Sequence, residues 1–277
     1  MELGIIFGLA SMLSWGFADF LNKVILQKIT LKQMLYIGIP MNLLFLILMW
    51  PIFVKDMPGI FDIGFALLTA VIMSTAWTCF MIAMSKEKLS LVTAVGSAYP
   101  MITIALGVFI LGEKILPKEY LGILLVIIGL IFACISFKDK LKITSGLKFA
   151  IAAFLIWGVG FFLLKISVDK VGWYLATFAS FFIQFIFLWV FWVRKEKISE
   201  AKKSLGLTII WSILGVSGFL AYSIGTTLER VSIVTPISAM FPAVAIAFGF
   251  VFLKERLEQT QWLGIAMVII GGVVLSI

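Results

Sequence analysis

The sequence contains no histidine, only 2 cysteines and only 14 acidic residues among 277. Without histidine the chain lacks the commonest metal ligand and the usual proton shuttle near neutral pH. No metal or other cofactor is expected, and an intramembrane enzyme, which would need clustered acids, bases or metal ligands, is disfavoured. Cys79 and Cys134 fall inside apolar runs, where they read as small hydrophobes, and no disulfide framework is implied. Charge is scarce overall, at 13% of residues, against about a quarter in a soluble domain. Met1-Glu2-Leu3 carries no basic lead-in, so a cleavable signal peptide is not expected.

What the chain has in abundance is hydrocarbon. Hydrophobic residues make up 62% of it, and the mean hydropathy is +1.17. Apolar runs near twenty residues long recur throughout, each able to cross a roughly 30 Å hydrocarbon core. The expected class is therefore an all-α integral membrane protein, multi-pass, in a cell membrane. The excess of 22 basic over 14 acidic residues then concerns loops and lipid head groups rather than nucleic acid.

One stretch occurs twice. Residues 88–135 and 230–277 align without a gap at a shift of 142, pairing Ser90 with Ser232, Thr93 with Thr235, Pro100 with Pro242 and Glu113 with Glu255. Gly107, Gly122 and Gly129 fall on Gly249, Gly264 and Gly271, and the same shift carries Trp15, Gly16, Lys23 and Glu87 onto Trp157, Gly158, Lys165 and Glu229. A constant offset over most of the chain means two copies of one unit. The copies are placed at 1–136 and 143–277, joined by little more than the segment KDKLKITSG at 138–146.

Periodicity predicts ten transmembrane helices, near 3–26, 33–54, 62–85, 91–111, 117–136, 147–168, 173–193, 205–228, 232–253 and 259–276. Five helices per copy is an odd number, so the second copy must enter the membrane inverted. Inverted repeats recur in secondary transporters, where two halves rock about a midplane site. The joints after helices 1, 3, 5, 7 and 9 hold most of the basic residues, while the others hold only Lys55, Lys114, Lys118, Lys170 and Arg230. The positive-inside rule then places both termini outside the cytoplasm.

Within the helices, Asp19 is the one acidic residue well inside a span, with Trp15, Asn22 and Lys23 near it. An intramembrane carboxylate is costly and marks a functional site by default. It could exchange a proton, bind a solute ammonium group, or be neutralised by Lys23 four residues on, with Lys23 and Lys165 snorkelling to opposite surfaces. Pro100 and Pro242 interrupt helices 4 and 9, freeing the carbonyls of Gly96 and Ser238 beside Ser97 and Tyr99. Freed backbone is tolerated only against protein or a wet cavity. These two helices either flex along a central cavity or carry packing kinks. Trp77, Phe80, Tyr222 and Phe241 join Trp15, Trp157 and Tyr99 as cavity-lining candidates, whereas Trp50, Trp173, Trp192 and Trp262 read as an interfacial belt. Glycine spacing suggests close docking of helix 1 with 6, and of 5 with 10.

Trp15-Gly16 with Lys23, its echo in Trp157-Gly158 with Lys165, the paired prolines, and Leu111-Gly112-Glu113 beside Lys254-Glu255-Arg256 resemble the EamA family of drug/metabolite transporters. That resemblance covers essentially the whole chain. It implies ten helices, an inverted repeat, a cavity lined mainly by helices 1, 3, 4, 6, 8 and 9, and transport of a small-molecule solute. Amino acids and related metabolites are frequent cargo, with export often driven by protons or another coupling ion. It also implies cytoplasmic termini, where this chain's lysines argue the reverse. Asp19 has Phe161 at the matching place in the second copy, so its role does not follow from the resemblance. A secondary transporter is thus the leading expectation, against a multidrug exporter and a structural or assembly subunit.

Overall fold

The computed structural model describes residues 3–84, 86, 92, 95–134, 144–195, 202–254 and 258–276. Glu87, Ser90, Thr93, Glu255, Arg256 and most of the joint between the copies lie outside them. The described residues are helical throughout, with no strand among them. We label the helices α1 (Leu3–Leu26), α2 (Leu31–Phe53), α3 (Ile60–Met84), α4 (Pro100–Leu111), α5 (Pro117–Cys134), α6 (Ser145–Gln184), α7 (Leu205–Leu228), α8 (Val231–Ser238), α9 (Phe241–Leu253) and α10 (Gln259–Ser276).

Seven stretches among the described residues are long and apolar enough to cross a membrane. Two of the three missing from the expected ten have a physical reason. Ser145–Val193 covers 49 residues, long enough at 1.5 Å per residue for two passes, and consists of two helical arms that meet at Gly172. It holds α6 and a π-helical continuation over Phe185–Val193. The run turns at Gly172, whose φ of 81° and ψ of 157° suit only a residue without a Cβ. Helix 4 breaks just ahead of Pro100, and α4 itself has only 12 residues.

The break before each repeated proline is a tight turn rather than a smooth kink. Gly96 O, predicted to be freed, accepts the Tyr99 N–H at 3.3 Å. In the second copy Met240 N–H reaches Ile237 O at 3.2 Å, and α9 restarts at Phe241-Pro242. Proline fits at a helix start because its absent N–H has no partner to lose there. Pro40, inside α2, deprives the Tyr36 carbonyl of its usual donor, and the Trp189 indole N–H fills that place at 3.0 Å.

The copies interlock instead of standing side by side. α1 packs chiefly on α7, α3 on α6, and α5 on α10. The expected docking of α5 with α10 holds: a Cβ at Gly264 would sit 2.2 Å from Ala133 N, and one at Gly271 would sit 2.7 Å from Gly122 O. The expected pairing of helix 1 with helix 6 does not. Gly4 instead faces Glu229 and the Gly225 carbonyl, and Gly8 faces Ile237, so these glycines admit α7 and α8. Two further crossings match across the copies. A Cβ at Gly16 would lie 2.5 Å from Val244 Cβ, and one at Gly158 would lie 2.5 Å from Ile102 Cβ.

Candidate functional site

A cavity of 190 Å³ lies between the copies. Both contribute to its wall: Trp15, Asp19, Asn22, Trp77, Phe80, Ser97 and Tyr99 from the first, Trp157 and Phe241 from the second. Of the residues singled out in the sequence, Lys23, Pro100, Lys165, Tyr222, Ser238 and Pro242 do not line it. Lys165 Nζ lies 2.6 Å from Asp169 one turn on, an ion pair rather than a lone snorkelling cation. Ser238 Oγ donates to Gly8 O at 3.4 Å, tying α8 to α1. Pro100 and Pro242 act through the helix starts they set.

Aromatic contacts fix the wall. Trp15 donates from its indole nitrogen to Gly215 O at 3.3 Å. It meets Phe161 edge-on with centroids 6.1 Å apart, Phe241 edge-on at 6.0 Å, and stacks against Tyr222 at 6.0 Å. Tyr222 therefore stands behind the wall, with its hydroxyl 2.8 Å from Thr235 Oγ1. Tyr99 stacks on Phe161 at 4.5 Å, and Phe80 meets Trp157 at 4.9 Å. Offset and edge-on pairs of this kind add about 0.5–1.5 kcal/mol each beyond their buried area, so the wall is pre-formed.

Among the described residues, Asp19 is the one acidic lining residue, and none is basic. The pairing with Lys23, one of the readings the spacing left open, is not among the ion pairs of the described residues. Among the described residues no cation pairs with Asp19. Trp15 and Asp19 are one helical turn apart, so packing of Trp15 into the wall brings Asp19 to the same face. Three polar atoms on the lining, Asn22 Oδ1, Ser74 Oγ and the Tyr99 hydroxyl, are buried with no hydrogen-bond partner. Buried polar groups are normally paired, and each of these atoms is able to take a hydrogen bond from a ligand.

Sequence reasoning missed α2 and the second arm of α6 as parts of the wall. Asn42 and Gln184 line the cavity with Met34, Ser180 and Phe181. A signal was present, since Asn42 and Gln184 are amides on apolar helices separated by the repeat offset of 142.

Much of the lining lies towards one face. The C-terminal halves of α1 and α3 and the N-terminal half of α2 contribute, with Trp211 and Gly215 from the N-terminal half of α7, and the wall reaches Leu31 beside the α1–α2 joint. The opposite face carries a polar clasp. Gly112, at φ 69°, ends α4 and turns Glu113 towards α8. The Glu113 carboxylate accepts the Val231 and Ser232 N–H groups at 2.9 Å each, capping that helix. Arg230 grips Glu119 at 2.7 and 3.2 Å, bonds Glu229 at 3.1 Å, and donates to Lys114 O. Its bond to Glu119 raises the guanidinium above its ordinary range, against an opposing effect of burial.

Similarity to other proteins agrees with this geometry. A chain of known crystal structure superposes with a TM-score of 0.77 over 98% of this chain and 95% of its own, at 13% identity, which speaks to the fold alone. An uncharacterized transporter of Archaeoglobus fulgidus is 24% identical over 80% of each chain. Another, from Clostridium kluyveri, is 23% identical over 99% of this chain and 93% of its own. An uncharacterized protein of Methanocaldococcus jannaschii is 34% identical across 88% of its length, yet matches only 44% of this chain. The model of the EamA-like transporter family matches twice, over residues 2–135 and 144–277. With both copies matched, the chain belongs to the EamA-like transporter family.

Proposed function

We propose that the protein is a secondary active transporter that exports small organic metabolites by alternating access, using ten passes arranged as an inverted repeat. The cavity between the interlocked copies carries this reading. Its wall is drawn from both copies and reaches the face of the α1–α2 joint, while the Arg230 clasp holds the opposite face together. Rocking the copies would break the clasp and close the first face, passing a solute from one side to the other. Trp15, Trp77, Phe80, Tyr99, Trp157 and Phe241 form the solute wall, with Asp19, Asn22 and Ser97 as its polar contacts. Pro100 and Pro242 mark the turns about which the broken helices move. Protons or another ion supply the gradient. The lysine-rich face is cytoplasmic and the termini lie outside, so the state described here is open inward.

Reconstitution tests the proposal. Purified protein in liposomes, offered a pool of metabolites, should accumulate at least one solute under an imposed proton or sodium gradient. Collapse of the gradient by an ionophore should release it. If no solute accumulates or exchanges under any gradient, the protein is a structural subunit instead. For orientation, a cysteine replacing Ser276 should react with an impermeant reagent in intact cells and one replacing Ser199 should not. The reverse pattern would overturn the assignment of faces.

A further inference from the structure

The cavity's charge and its walls narrow the class of solute. This inference deepens the transport reading and rests on it only for the location of the site. Asp19 is the one carboxyl on the described lining, with no basic group beside it there, so any charge the described wall carries is negative. The low dielectric around it magnifies that charge. An anion entering would lose its hydration and meet repulsion, whereas a cation would regain from Asp19 what it gave up in leaving water. The walls favour the same sign. Indole and phenyl faces attract cations held within about 6 Å of the ring, and Trp157 has Phe80 at 4.9 Å and Tyr99 at 6.3 Å, forming an aromatic corner. Ser74 and Tyr99, each 2% exposed, and Asn22 Oδ1 can accept hydrogen bonds from a donor on the ligand. The 190 Å³ of room is below the usual range for drug-sized ligands.

We propose that the cavity selects a small organic ammonium ion, its charge held by Asp19 and its apolar body against the rings around Trp157. Isothermal titration of the purified, detergent-solubilised protein tests this without any transport step. The probes are choline and benzylammonium, their uncharged counterparts 3,3-dimethylbutan-1-ol and benzyl alcohol, and the anion benzoate. At least one cation should bind about tenfold or more tightly than its uncharged counterpart, and benzoate should give no heat. Asp19→Asn should remove the preference for the cation over its uncharged counterpart, while Asp19→Glu should preserve it. The probe comparison on the unaltered protein needs no variant, so misfolding of Asp19→Asn cannot rescue the idea. Equal binding of a cation and its counterpart, tighter binding of benzoate, or silence from all the probes would each overturn it. Cations that bind as stated while no solute at all is carried across liposomes would sink the transport reading and leave this one standing. Transport of an anion with no cation binding would do the opposite.

Discussion

The two copies share their packing and differ in their chemistry. Gly16 against Val244 and Gly158 against Ile102 are the same crossing made twice, at the same 2.5 Å. Trp15 and Trp157 enter the cavity from matching places, and so do Asn42 and Gln184. Where the polar wall is built, the correspondence fails. Asp19, Asn22, Ser74 and Ser97 of the first copy stand opposite Phe161, Leu164, Val216 and Ala239 of the second. The two sides of the cavity are therefore unlike: one carries a carboxyl and, at Asn22 and Ser74, buried polar atoms without a partner, while the other is mainly aromatic. The loops differ in the same way. Glu119 and Gln261 both accept an N–H at the start of their helices, from Leu116 at 2.7 Å and Glu258 at 2.9 Å. Among the described residues, only Glu119 also holds an arginine. Shared residues set how the helices cross, and unshared ones set what the cavity and its closed face can do.

The comparison can be broken most severely at α5 and α10. A Cβ at Gly264 would meet only backbone, at 2.2 Å from Ala133 N and 2.6 Å from Gly129 O. Its counterpart at Gly122 would first meet the movable Leu275 side chain at 2.8 Å. Gly264→Ala should thus lose roughly 3 kcal/mol, and Gly122→Ala about 1 kcal/mol. Thermal unfolding in detergent checks the order; equal melting temperatures would mean that the helices separate freely at both places.

A smaller effect is expected where the first copy is made like the second. Glu119→Gln keeps the cap on Leu116 N–H but gives up the ion pair with Arg230, for about 1 kcal/mol. The clasped face should then open more often. A cysteine at Ser232, fully buried beside the clasp, should react faster with a thiol reagent in that background. An unchanged labelling rate would show that Arg230 does not hold the face.

The prolines should matter least for stability. Pro100→Ala and Pro242→Ala restore an N–H at a helix start, and each should shift unfolding by no more than about 1 kcal/mol. Transport should fall by much more than folding does, because alanine, unlike proline, also fits inside a continuous helix and so lets the turn close into one. Equal transport by both variants at matched expression would reduce the prolines to packing features.

Much of this was legible beforehand. The offset of 142 exposed the copies, and apolar length marked the spans, because hydrophobic thickness and helical rise leave little freedom. Nine of the proposed site residues do line the cavity, since tryptophan, tyrosine and aspartate at membrane depth are conspicuous. What failed was partnership. Lys23 lies one turn from Asp19, yet sequence spacing cannot say which way a side chain turns once a cavity offers a second direction. Gly4 and Gly8 announced a close neighbour without naming it, and the neighbour is α7 with α8 rather than helix 6.

The sequence by itself determined that the chain is a duplicated bundle of apolar helices, because periodicity and length act locally and every residue carries them. Tertiary structure decided which helices interlock, that α2 and the second arm of α6 reach the cavity, and that Glu113 and Arg230 bind across the copies. These depend on residues more than a hundred positions apart meeting at van der Waals distance, and only the packed fold sets such distances.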